Sequence, residues 1–125
     1  MKSLLKKVSE LALEVEREKG QGFILFALVL PEDAISWDLV AAANWMDADK
    51  MAALRYLARK AQTQLTVQEL RELSGIVPFD SQKVLNYSTS SEISTGWIKN
   101  DPDFYGRAIQ RAYVFSAPMA VVTAH

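Results

Sequence analysis

The sequence predicts an α+β fold: one domain spanning residues 1–125, with a mainly antiparallel sheet and helices packed on one face. Three observations carry that expectation. Two segments, 3–18 and 47–64, repeat apolar residues at helical spacing. One run, FILFALVL at 23–30, is apolar throughout. The order helix, hairpin, helix points to segregated layers rather than regular βαβ alternation.

The first helix is read from Leu4, Val8, Leu11 and Val15, which recur at spacings of 4, 3 and 4, with Leu5 and Ala12 alongside. Lys6, Glu10, Glu14 and Arg17 mark the opposite side. Lys19 and Gly20 supply a basic last turn and a C′ glycine. The stripe either packs on the domain's own sheet or forms a two-helix seam with a second copy.

Residues 22–30 are expected to form a strand buried on both faces, between Gly22 and Pro31. Residues 36–43 read as its hairpin partner. Alternation there sets Trp37, Leu39 and Ala41 on one side and Asp38, Val40 and Ala42 on the other.

Asp47 is the expected N-cap of the next helix, whose stripe is Met51, Leu54, Leu57, Ala58, Ala61 and Leu65. Thr66 and Glu69 fit a capping box opening a short helix that runs to about residue 73, with Gly75 ending it. Residues 76–79 read as a short strand confined to an edge or strand end by Pro78. Asp80 caps a further short helix over 81–86. The hydroxyl-rich stretch 86–96 reads as a loop, and residues 100–103 as a turn. A strand is expected over 111–117, followed by a final strand or docked tail over 119–124.

Composition narrows the chemistry. The chain has 125 residues, half of them hydrophobic, enough for a core without a metal or disulfide staple. There are 14 Lys+Arg against 15 Asp+Glu, so neither a strongly basic polyanion binder nor an acidic disordered tail is indicated. Cys is absent, which removes disulfides, thiolate metal sites and thiol nucleophiles. The single His is residue 125, a poor foundation for a Ser-His-Asp triad. No glycine-rich phosphate motif occurs. The charged first twenty residues do not resemble a signal peptide. The longest apolar run spans about 12 Å as a helix, against a hydrocarbon core of about 30 Å. A cytoplasmic protein without membrane insertion is expected, and no cofactor is indicated.

Three residue groups remain as candidate sites. Trp97, Phe104, Tyr105, Arg107 and Arg111 combine aromatics and cations, the side chains favoured at partner or ligand surfaces. Asp38, Asp47 and Asp49 are carboxylates of the type that hold Mg²⁺ in a small hydrolase or nucleotide-processing enzyme. Asp38 equally suits an ion pair with Arg107 or Arg111, because a strand carboxylate on a covered face is costly when unpaired. Arg55, Arg59 and Lys60 lie on one helix face and could meet phosphate, though so few cations would give only weak nucleic-acid binding. The acidic stretch 31–49 beside the basic stretch 50–60 is largely what a helix dipole favours.

The segments FALVL at 26–30 and WDLV at 37–40 with Trp45, and the segment DFYGRAIQRAYV at 103–114, are similar to small uncharacterised prokaryotic proteins. The resemblance covers about half of the chain. It implies a compact prokaryotic α+β domain and carries over no catalytic residue. The residues themselves favour a non-enzymatic interaction or regulatory domain that self-associates through the N-terminal stripe or a sheet edge.

Overall fold

In a computed structural model, residues 2–90 and 95–117 are described, with side chains from 88 to 90 left out. The elements run α1 (Lys2–Lys19), β1 (Leu25–Pro31), β2 (Trp37–Ala42), α2 (Asn44–Asp47), α3 (Lys50–Gln64), α4 (Val67–Arg71), β3 (Leu73–Pro78), α5 (Ser81–Ser90), β4 (Gly96–Phe104) and β5 (Arg107–Ser116). The strands form one sheet in the order β3-β2-β1-β5-β4. All pairings are antiparallel except β2 with β3. This is the α+β class with a mainly antiparallel sheet that the sequence predicts, but the helices are not confined to one face: α1 and α3 pack on one, and Val84 of α5 packs on the other. Among the described residues no helix is long and apolar enough to cross a membrane.

The central strand β1 explains the apolar run. It has neighbours on both edges and packing on both faces, so six of its seven residues are buried. Phe26, Leu28 and Leu30 share the first face with Trp37, Leu39 and Ala41 of β2. Leu25, Ala27 and Val29 share the second with Val40 and Ala42. The expected β2 alternation is therefore present.

α1 and α3 cover the first face. Leu4, Val8, Leu11, Ala12 and Val15 of α1 are all buried in the same cluster as Phe26, Leu28 and Leu39. The stripe is consumed by the chain's own core, which leaves no seam for a second copy. Its helix ends at Gly20, whose φ of 71° suits the predicted C′ position. α3 buries Ala53, Leu57 and Ala61, whereas Met51, expected on the stripe, is 61 % exposed. The two helices are tied by Lys60, whose ammonium lies 2.9 Å from Glu14 and also contacts Glu18.

Several boundaries differ from the sequence expectation, each for a local reason. Asp47 closes the short α2, and Asp49 caps α3 instead, accepting the Ala52 N–H at 3.1 Å. The Thr66–Glu69 capping box is present, but α4 ends at Arg71 and Gly75 lies within β3. β3 is an edge strand, as Pro78 requires, and pairs in parallel with β2. Asp80 caps α5, accepting N–H bonds from Gln82 at 3.0 Å and Lys83 at 3.2 Å. That helix continues to Ser90, through the first half of the supposed loop 86–96. Val84 buries itself against the second face, and that packing overrides the weak helix propensity of the hydroxyl residues.

Residues 100–103 belong to β4 rather than to a turn. Asn100, with φ of 52°, and a register shift between Asp101 and Phe104 absorb the irregularity while pairing continues. The reversal falls later, at Tyr105–Gly106, so β5 begins at Arg107. The expected strand or tail at 119–124 lies outside the described residues.

Candidate functional site

The aromatic–arginine segment does not form one surface. Strand alternation and the hairpin turn divide it between the two faces of the sheet. Arg111 is opposite Leu30, and Tyr113 opposite Leu28, so both belong to the first face. Trp97 pairs with Tyr113 and joins them. Phe104 is fully buried in the cluster of the second face, where Tyr105 packs on it and Arg107 reaches Asp38.

On the first face, five side chains interlock. The Arg111 guanidinium lies 5.6 Å from the Trp37 ring and 5.8 Å from the Trp97 ring. Trp37 and Trp97 meet edge to face at 6.3 Å, and Trp97 meets Tyr113 at 5.1 Å. Tyr113 in turn touches Phe115 at 5.0 Å. Quadrupole and cation–π attractions orient this strip. Trp97 remains 46 % exposed, and Ile35, in the turn just before Trp37, is 99 % exposed.

The second face holds two features. Asp38 is opposite Val29, and its carboxylate lies 3.6 Å from the Arg107 guanidinium. This is one of the two ion pairs the sequence predicts, and it partly offsets the cost of placing a carboxylate on a covered face; at this distance it is an ion pair without a hydrogen bond, and the buried Arg107 Nη1 has no hydrogen-bond partner among the described residues. Next to it in the fold is a cavity of about 570 Å³ between α5, the end of β3 and the β4–β5 turn. Phe79, Tyr87 and Tyr105 give it an aromatic wall, with Tyr87 and Tyr105 rings 4.6 Å apart. Lys50, Asp80, Lys83 and Asp103 stand around it.

The three candidate carboxylates serve three separate duties. Asp38 pairs with Arg107. Asp47 accepts the Ser81 backbone N–H at 3.3 Å, and Asp49 caps α3. Among the described residues no three His, Cys, Asp or Glu side chains gather where they could hold a metal ion. The basic face of α3 is also divided. Arg55 and Arg59 are exposed, but Lys60 is engaged by Glu18 and then Glu14, whose hydrogen bonds raise its pKa. Neighbouring Tyr56 is pushed up to about 12, by burial first and then by its hydrogen bond to Glu18.

Sequence reasoning missed the cavity. Its residues come from three separate segments, and only the Tyr105-Gly106 pair hints at it, as a two-residue turn signal. No known protein family, curated protein or solved structure matches the chain.

Proposed function

We propose that this protein is a non-enzymatic interaction domain that associates with a second copy of itself through the first-face strip and the adjoining edge of β4. The observation that carries the reading is Arg111 held over both Trp37 and Trp97 while Trp97 stays half exposed. Trp, Tyr and Arg are the side chains that dominate binding energy at interfaces, and pre-positioned rings lose little entropy on contact.

The edge argues for a second copy as the partner. Among the described residues β4 is the terminal strand, so its outer backbone groups face away from the sheet beside Trp97. Asn100 at positive φ, Asp101, Pro102 and Asp103 obstruct strand addition along the second half of β4. Pairing is thereby restricted to residues 96–99, where an antiparallel copy related by a twofold axis brings the two aromatic strips side by side. The N-terminal stripe takes no part, because it is buried.

Light scattering across a range of concentrations tests this. A dimer is expected at micromolar to high micromolar concentrations, with Trp97→Ala and Arg111→Glu each shifting it to monomer while the far-ultraviolet dichroism is retained. A full-length chain that stays strictly monomeric at high concentration overturns the proposal. Deleting residues 1–19 is not a usable control, since it removes four fully or almost fully buried core residues: Leu4, Val8, Leu11 and Val15.

A further inference from the structure

We propose that the second-face cavity is a binding site for a small planar aromatic anion, such as an aromatic carboxylate. The site is separate from the association surface, which lies on the other face.

Its size suits the class. Small-molecule sites usually enclose roughly 300–1,000 Å³, with apolar walls and a few placed polar groups. Here about 570 Å³ is lined by Phe79, Val84, Tyr87 and Tyr105, with Lys50 and Lys83 at the rim. Tyr105 is the organising residue. Its ring meets Phe79 at 6.2 Å, Tyr87 at 4.6 Å and Phe104 at 4.9 Å. A flat ring entering the cavity finds aromatic faces and edges already set.

The lining holds two cations and two carboxylates, and the preference for an anion rests on Lys83, the cation of the two that is not already paired among the described residues. Asp80 accepts two α5 N–H groups and lies 3.5 Å from the Lys50 ammonium. Asp103 accepts the Gly106 N–H at 2.9 Å. Both acids are committed to local structure. Lys83 is exposed and has no carboxylate partner among the described residues. An incoming carboxylate would complete it.

A second observation, in the backbone, points the same way. Tyr105 and Gly106 occupy the two central positions of the β4–β5 turn with φ of 51° and 85°. That geometry favours Asn-Gly or Asp-Gly. A bulky tyrosine in the left-handed region is a local cost, and such costs concentrate at ligand sites. Here the residue that bears it is the one lining the cavity.

Titration calorimetry at neutral pH with naphthoate, and with naphthylamine as the uncharged counterpart, tests the inference. Naphthoate is expected to bind one per chain with a Kd of about 1 mM or tighter. Lys83→Glu should weaken it about tenfold or more. That substitution puts an acid in the first turn of α5, where the helix dipole favours it, so thermal stability should hold. Tyr105→Asn relieves the turn and removes the ring, so binding should fall while the fold persists. No heat at several millimolar naphthoate, equal affinity for naphthylamine, or unaltered binding in Lys83→Glu would each overturn the inference. Trp97→Ala should bind naphthoate like the parent chain, which separates this result from that of the self-association test.

Discussion

Asp38 shows how much a single residue's alternation decides. Standing between Trp37 and Leu39, it faces away from the first-face core and meets Arg107 at 3.6 Å, with 14 % of its side chain exposed. A pair in this setting adds little net stability, because desolvation offsets the attraction, but breaking it strands the more buried partner. Arg107→Met is therefore expected to destabilise the fold by about 1–3 kcal/mol in urea denaturation. The double change with Asp38→Leu should recover most of that loss. A single substitution without effect would show that water already satisfies Asp38. Glu69 offers a second residue-scale test. It is only 5 % exposed, yet it accepts the Ser3 hydroxyl and the Thr66 N–H and lies 3.7 Å from the Lys7 ammonium. The Ser3 bond, then the Thr66 backbone bond, hold its carboxyl below the ordinary range. The unfolded chain then takes up this proton at higher pH than the folded chain. Its contribution is complete above about pH 5 and is lost as pH falls through the folded value. Glu69→Gln should flatten the acid side of the stability profile, and an unaltered acid profile would count against the assignment. Sequence revealed the Thr66–Glu69 box through its spacing. It did not reveal the Ser3 contact, which joins residues 66 positions apart.

At the scale of elements, the helices were legible in existence and less so in their ends. The α1 stripe and Gly20 cap follow directly from spacing and from glycine's tolerance of positive φ. The start of α3 is displaced by two residues, because Asp47 and Asp49 are equally good caps in isolation, while its end at Gln64 is as expected. The intervening α2 turn takes Asp47, and Met46, which it buries, anchors that turn in the core. Asp49→Ala should lower stability by about 1 kcal/mol, a fall of roughly 3–6 °C in Tm, while Asp49→Asn keeps most of it. Equal losses for the Ala and Asn variants would argue that the cap bond is unimportant. The turn expected at 100–103 illustrates a different limit. Asn, Asp and Pro mark irregular backbone, but in β4 the irregularity is absorbed as a register shift that still pairs with β5. Those same residues guard the edge, so the proposed association is confined to residues 96–99.

For the whole molecule, the sheet's two faces divide the labour. The first is covered by α1 and α3 and leaves an aromatic–arginine strip at its β5–β4 end. The second is closed by α5 and the β4–β5 hairpin around a cavity. The sequence grouped Trp97, Phe104, Tyr105, Arg107 and Arg111 by proximity along the chain, whereas the fold sends Trp97 and Arg111 one way and the other three the other way. What the sequence determined by itself was the α+β class, the fully buried central strand, the α1 stripe, the capping box and the set of side-chain chemistries on hand. These depend on periodicity and local hydrogen bonding within a few residues. Only the tertiary structure decided which face each aromatic occupies, which carboxylate meets which cation, and that a cavity exists at all. Those outcomes depend on register, turn geometry and strand order, and they join residues separated by tens of positions in the chain.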